Sequence, residues 1–473
     1  MSTDPEQSTG APRGVADLRP LERRREQRAW SWYDWANSAF YTSVLTVLFA
    51  PYMITVAGRA AGCPDPDETC SRTVSLLGLD LAAGSLPAYL TTFATIASAF
   101  VLPVVGAFVD GSAHKKRHMA GFAWAGALAG SLLFFMEGDD WQLGAVAVVA
   151  ASILGGCSLV SYYAILVDIS TVEERDRVSS RGWAWGYLGG GLLLLLNLVV
   201  VLGHDAFGIG TELAVRLSML SAALWWAGFT IVPFVRLRDH QPSPEAPSRE
   251  GSLVQRSFGQ LWTTMRELRG YPMTMTFLIA YLFYNDGIQT VIASASTYGS
   301  KQLGLSQTVL IATILMIQFV AFGGALLFGR LASTHGAYRC LLWGTVGWMA
   351  IVVAAIALPA GDVGLFVLTG AAIAVVMGGT QALSRSFFSL LIPRGREGEY
   401  FALYNAAERG TSWFGTLLFG VVFQLTGSYR PAIFALLVFF LLGFLVLLRL
   451  DPRRGIEEAG NTVPASLMRR AAA

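Results

Sequence analysis

Two carboxylates stand inside stretches of chain that are otherwise apolar. Asp286 lies in Tyr284-Asn285-Asp286-Gly287-Ile288-Gln289-Thr290, and Asp34 in Tyr33-Asp34-Trp35-Ala36-Asn37. At helical spacing Asp286, Gln289 and Thr290 share one face, as do Asp34, Asn37 and Tyr41. An Asp at the centre of a bilayer-spanning helix costs about 2.5–3.5 kcal/mol on insertion scales. A carboxylate kept at that cost either binds something or accepts hydrogen bonds from neighbouring helices, and both readings stand at this point. With Asn37, Tyr41, Asn285 and Gln289 beside them, the two groups could hold a proton or the amine of a small solute. The two stripes are expected to face each other across a central cavity.

The elements that must position these stripes are twelve apolar segments, near 30–57, 84–109, 119–136, 141–166, 183–203, 213–235, 273–295, 305–329, 340–359, 363–383, 402–425 and 430–449. Each approaches the roughly 20 residues that cross about 30 Å of hydrocarbon. A composition of 54% hydrophobic and only 14% charged residues excludes a soluble domain of this length. The fold class is therefore all-α integral membrane, with twelve transmembrane helices. Of the 34 Lys and Arg residues, all but Arg59, Arg72, Arg216, Lys301 and Arg430 fall in the tails and alternate loops. That bias places both termini in the cytoplasm of a plasma-membrane protein. It also explains the basic residues without nucleic acid; anionic lipid headgroups suit them instead. No cleavable leader is recognisable, since the first apolar segment carries Asp34 and lacks a small-residue cleavage site.

A cytoplasmic linker, 236–272, divides the chain into bundles at 30–235 and 273–449, with tails at 1–29 and 450–473. The linker holds a Pro- and Ser-rich run and then apolar residues at helical spacing over 253–268. These fit an amphipathic helix at the interface or under the bundle. Residues 1–22 and 455–473 read as disordered. The halves echo each other. Gly106-Ala-Phe-Val-Asp110 leads to Lys115-Lys116-Arg117, and Gly329-Arg-Leu-Ala-Ser333 leads to Arg339. The Tyr-Asp and Tyr-Asn-Asp stripes recur in register in the first and seventh segments. Repeated halves are a common plan of secondary transporters, with binding near the midplane between them. The expectation is two pseudo-symmetric six-helix bundles working as a monomer on a small-molecule solute, with protons as a candidate coupling ion.

Hairpin arithmetic adds a pair. Arg385 lies eight residues before Pro393 and Glu408 eight after Tyr400, so spans ten and eleven carry them at similar depth. A buried Arg385–Glu408 bridge is one reading; separate snorkelling to the headgroups is the other. Cys63 and Cys70 share the first outer loop, as a disulfide or as two thiols. Cys157 and Cys340 read as packing residues. No phosphate-binding Gly-x4-Gly-Lys loop, nucleophile elbow or His-Glu-x-x-His site occurs, so neither ATP-driven pumping, enzymatic catalysis, a cofactor nor a metal has support. Trp30, Trp32, Trp35 and Trp141 suit interface belts, and Trp225-Trp226 suit the cavity lining or, as the preferred reading, the lipid face.

The loop Gly106-x3-Asp110 with Lys115, Lys116 and Arg117, within twelve spans, resembles the major facilitator superfamily. Trp32-Tyr-Asp-Trp-Ala-Asn-Ser-Ala-Phe40, Gly182-Trp-Ala-Trp-Gly-Tyr-Leu-Gly-Gly190, Tyr284-Asn-Asp-Gly-Ile-Gln-Thr290 and Phe401-Ala-Leu-Tyr-Asn405 are similar to its branch of autophagy-linked vacuolar amino-acid effluxers and their bacterial relatives. The resemblance implies that Asp110 meets the N-terminal end of span eleven and holds an outward-facing state. It implies amino acids as substrates. Ser333 departs from the acidic residue usual at its place, which implies a weaker second gating loop. A lipid flippase or exporter of hydrophobic compounds is the alternative function, and it would want a greasier cavity.

Overall fold

The computed structural model describes residues 18–63, 72–76, 78–242, 266–410 and 412–468. The first bundle comprises α1 (Pro20–Ala60), α2 (Ala83–Asp110), α3 (Lys115–Phe135), α4 (Trp141–Ile169), α5 (Arg175–Leu202) and α6 (Thr211–Arg236). The second comprises α7 (Pro272–Thr297), α8 (Gln307–His335), α9 (Ala337–Ile356), α10 (Val363–Leu390), α11 (Glu397–Gly410 and Ser412–Thr426) and α12 (Tyr429–Leu448). Among the described residues, ten helices are long and apolar enough to cross a membrane. The 26-residue α7 has the length but carries the Tyr-Asn-Asp stripe, and α11 is described in two segments. The twelve-span, two-bundle architecture is as the sequence implies.

Close backbone approach in the first bundle depends on one face of α5. A Cβ at Gly186, Gly189 or Gly190 would come within 2.6–2.7 Å of Ser38 Oγ, the Trp35 carbonyl or Thr42 Oγ1. Those partners lie along a single stripe of α1, so the two helices meet along nearly their whole crossing, as small residues permit in lipid. The bundles repeat one tie. Tyr33 Oη pairs with Ser158 Oγ at 2.5 Å, and Tyr284 Oη with Ser384 Oγ at 2.6 Å. Each joins the first helix of its bundle to the fourth.

Several boundaries differ from the sequence reading. Helix α1 begins at Pro20, so the N-terminal tail ends ten residues earlier than expected, and its turns widen to π-helix over Tyr41–Leu48. The 253–268 helix falls outside the described residues up to 265. The C-terminal tail is ordered as far as Met468: α13 (Pro452–Glu458) and α14 (Ala465–Met468) follow α12, and Ile456 is buried. Asn461 donates to the Leu390 and Ile392 carbonyls at 2.9 and 2.8 Å, which straps this segment across the end of α10. The loop between α1 and α2 contains an antiparallel hairpin, β1 (Thr73–Leu76) and β2 (Leu79–Ala82), which the apolar pattern did not signal. Trp30 and Trp226 are fully buried, and Trp225 stacks on Trp35, so these indoles pack between helices and not against lipid.

Candidate functional site

Asp34 is 6% exposed and lies where α1, α4, α5 and α10 converge. Tyr162 Oη on α4 donates to its Oδ2 at 2.7 Å. From the other bundle, Arg385 on α10 brings Nη1 and Nη2 to the same oxygen, each at 3.2 Å. Arg385 also donates through Nε to Ser179 Oγ and through Nη2 to the Ser179 carbonyl, both at 2.9 Å. A Cβ at Gly182 would sit 2.4 Å from Asp34 Oδ2 and 3.0 Å from Arg385 Nη2, so only glycine there leaves room for the pair.

The guanidinium is enclosed by rings. Its Cζ lies 4.8 Å from the Trp30 ring centroid, 5.2 Å from Tyr163, 5.4 Å from Trp183 and 5.5 Å from Tyr162. Each distance is within the range of cation–π attraction. Charge, hydrogen bonds and ring faces together meet the high cost of burying this cation. The expected Arg385–Glu408 bridge is thereby corrected: Arg385 takes Asp34 as its ion-pair partner. Glu408 is half-buried, and its backbone carbonyl accepts from Asn285 Nδ2 at 3.0 Å. Hairpin arithmetic matched depth but could not fix which way the side chain turns around α10.

A second junction joins the bundles nearer the face that carries the basic loops. Asp110 accepts from the backbone N–H groups of Gly398 at 2.6 Å and Glu399 at 2.9 Å. Those are exposed donors of the first turn of α11, where the helix dipole also favours a negative charge. Gly106 makes this approach possible, since a Cβ there would lie 2.5 Å from the Gly398 carbonyl oxygen. Around it, Arg175 Nη1 donates to the Ser389 carbonyl at 3.1 Å, and Ser386 Oγ donates to Asp176 at 2.7 Å. The basic triplet serves its own bundle. Lys115 pairs with Asp168 at 2.9 Å, Lys116 donates to the Leu237 carbonyl at 2.7 Å, and Arg117 lies 3.7 Å from Asp239.

The remaining stripe residues separate. Asn37 donates back to the Tyr33 carbonyl at 3.0 Å and so closes on its own helix. Tyr41 places its hydroxyl against Gly155 on α4. Gln289 is half-buried. Asp286 is 1% exposed, fourteen residues into α7; among the described residues no side chain bonds its carboxylate, which the Gly415 backbone N–H of α11 approaches, and Thr290 Oγ1 beside it has no partner. The two carboxylates therefore differ in partner: Asp34 is engaged by a cation, while Asp286 is buried without one among the described residues. Cys63 is disulfide-bonded, Cys70 lies outside the described residues, and Cys157 and Cys340 are free thiols.

The sequence reading missed the ring enclosure. Tyr162-Tyr163 falls seven residues before the end of α4, at the depth of Trp30, and that spacing was the available signal.

A family model described as vacuole effluxer Atg22 like matches residues 22–170 and 167–460. The MFS-type transporter YxiO of Bacillus subtilis (strain 168) is 30% identical over 426 residues, which cover 89% of this chain and 94% of that one. Autophagy-related protein 22 of Kluyveromyces lactis is 24% identical over 483 residues, covering 93% and 96%. Among solved structures, the human organic anion transporter MFSD10 superposes with a TM-score of 0.67 at 15% identity, covering 91% of this chain and 100% of that one. The proton:xylose symporter XylE gives 0.68 at 12% identity, covering 91% and 96%.

Proposed function

Because the chain belongs to the Atg22-like branch of the major facilitator superfamily, alternating-access transporters and not enzymes, we propose that it carries a small polar solute, foremost an amino acid, out across the plasma membrane. The observation that carries this reading is Asp286. A carboxylate buried at mid-helix with no side-chain partner among the described residues, beside the Gly415 backbone N–H alone, carries a cost that uptake of a proton or a ligand's cation removes. Gln289 and Thr290, three and four residues on, add an amide and a hydroxyl on the same face. Such a group supports coupling of solute movement to a proton.

The excess of Lys and Arg makes the latched face cytoplasmic under the positive-inside bias. Both termini then lie inside, and the state described here is closed toward the cytoplasm. The junctions at Asp110 and Asp34 must part for the opposite state to form.

Flux in proteoliposomes tests the reading, with a mixed amino-acid pool and an imposed pH gradient. Wild type should move amino acids in response to the gradient, and D286N should lose the gradient dependence. Unchanged flux in D286N would remove Asp286 from coupling. No amino-acid movement under any gradient would overturn the substrate class and favour the lipid or hydrophobic-compound alternative.

A further inference from the structure

The enclosure around Arg385 is built almost wholly by the opposite bundle. Trp30 and Asp34 come from α1, Tyr162 and Tyr163 from α4, and Ser179 and Trp183 from α5. Only the cation comes from the second bundle. Its walls are also held by first-bundle bonds that do not involve Arg385. Trp30 stacks on Tyr162 with centroids 4.2 Å apart, and its Nε1 donates to the Tyr162 carbonyl at 2.8 Å. Tyr33 ties α1 to Ser158 of α4, and Gly182 seats α5 against Trp30 and Asp34. When the bundles part at this end, Arg385 leaves with α10 and Phe401 and Tyr404 of α11 leave the Tyr163 ring, while Trp30, Tyr162, Trp183 and Asp34 keep their first-bundle contacts.

The geometry points to a binding site for an organic cation in the vacated enclosure, for which Arg385 is the built-in competitor. A carboxylate backed by four aromatic faces selects a guanidinium or alkylammonium group over a neutral amide of equal size. Trp183 Nε1 has no hydrogen-bond partner among the described residues, which leaves a donor in the wall for a solute carboxylate. The ligand class is thus a small solute carrying a guanidinium or ammonium group, such as a cationic amino acid. Entry of that cation replaces Arg385 on Asp34 and holds the bundles apart at this face; its departure lets the latch close. This inference rests on the reading of the chain as a small-solute carrier, and it narrows the solute.

Equilibrium binding, separate from flux, tests it. The full chain in nanodiscs is titrated with L-arginine and guanidinium chloride at constant ionic strength, with L-citrulline as the neutral isostere. R385A should bind both cations at least tenfold more tightly than wild type and ignore citrulline, and R385A/D34N should lose that binding. A gain of affinity is not something misfolding produces. If R385A has no cooperative unfolding transition, R385Q is read in its place. A folded R385A or R385Q that binds no cation, or binds L-arginine and L-citrulline alike, overturns the site. Cation binding with this pattern, found alongside absent amino-acid flux, would keep the site and remove the amino-acid reading.

Discussion

At the end of α2, Gly106 and Asp110 press against the start of α11; at the end of α8, Gly329 approaches α5 from the other bundle. The two contacts are copies of one motif placed by the internal repeat. In the first, the carboxylate of Asp110 accepts two backbone N–H groups across the junction. In the second, a Cβ at Gly329 would meet Ser180 Cβ at 2.6 Å, so the backbone approach is preserved, while Ser333 Oγ turns back to the Arg330 carbonyl of its own helix. The same asymmetry appears deeper. Asp34 crosses to Arg385, whereas Asn285, its counterpart in the repeat, bonds within its own bundle to the Glu408 carbonyl. Shape is duplicated and charge is not. The first bundle supplies the anions that cross, and the second supplies the guanidinium and the helix end that receive them.

The deep pair gives the largest expected effect. D34N or R385A leaves one buried charge without its partner, and the cost should be about 3–5 kcal/mol. N285A, at the equivalent place, should cost about 0.5–1.5 kcal/mol, the net worth of an ordinary hydrogen bond. Thermal unfolding of the purified variants measures both. The comparison breaks if N285A is as damaging as D34N. It sharpens if D34N/R385M recovers much of the loss, because removing both charges with an apolar replacement is often close to neutral.

The junction at the basic face comes next. D110A removes charged hydrogen bonds to two N–H groups and should cost about 1.5–3 kcal/mol, while S333A should stay within about 0.5 kcal/mol. Cysteine-accessibility labelling from the basic face should also rise for D110A and not for S333A. Equal behaviour of the two variants would mean that the charge asymmetry has no mechanical consequence. The shared part of the motif is tested by G329A, which forces a Cβ onto Ser180 and should weaken the α5–α8 contact. S180G should restore it, since it removes the atoms in the way.

Much of this layout is legible in the sequence. Apolar length and loop charge reveal the spans, and Gly106-x3-Asp110 marks a helix end that meets the other bundle, because those features depend on local composition. The cation enclosure is not legible in the same way. Trp30 reads as an interfacial indole by residue type, and only the packing of α1 on α4 turns it inward. Arg385 could be assigned a depth from its distance to the turn at Pro393, but not a partner, since depth leaves rotation about the helix axis undetermined. The ordered tail was missed for a related reason. Asn461 and Ile456 are unremarkable in a polar segment until the ends of α10 and α7 supply the carbonyls and apolar surface they fit.

The smallest expected effect concerns how each bundle secures the loop after its fourth helix. In the first, Glu174 follows α4 and pairs with Arg23 of α1 at 2.8 Å, while Gln27 donates to it at 2.9 Å. Burial alone would raise this carboxyl's pKa. The hydrogen bonds from Arg23, Gln27 and the Thr171 N–H outweigh burial and hold it below the usual glutamate value. In the second bundle Asn461, which does not titrate, holds the Leu390 and Ile392 carbonyls at the end of α10, while the rest of that loop is held by Arg396 pairing with Glu399 at 2.7 Å and by Gly395 N–H donating to Glu397 at 3.1 Å. A carboxyl with a lowered folded-state pKa stabilises the fold above its unfolded value, about 4.3 for glutamate. That contribution disappears as pH falls through the lower folded value. Wild type should therefore lose more melting temperature between pH 6 and pH 3.5 than E174Q does. N461A should shift the curve downward by a similar amount at every pH, as the loss of neutral hydrogen bonds requires. If E174Q is as acid-sensitive as wild type, other carboxylates govern acid unfolding, and the electrostatic difference between the bundles is confined to the surfaces where they meet.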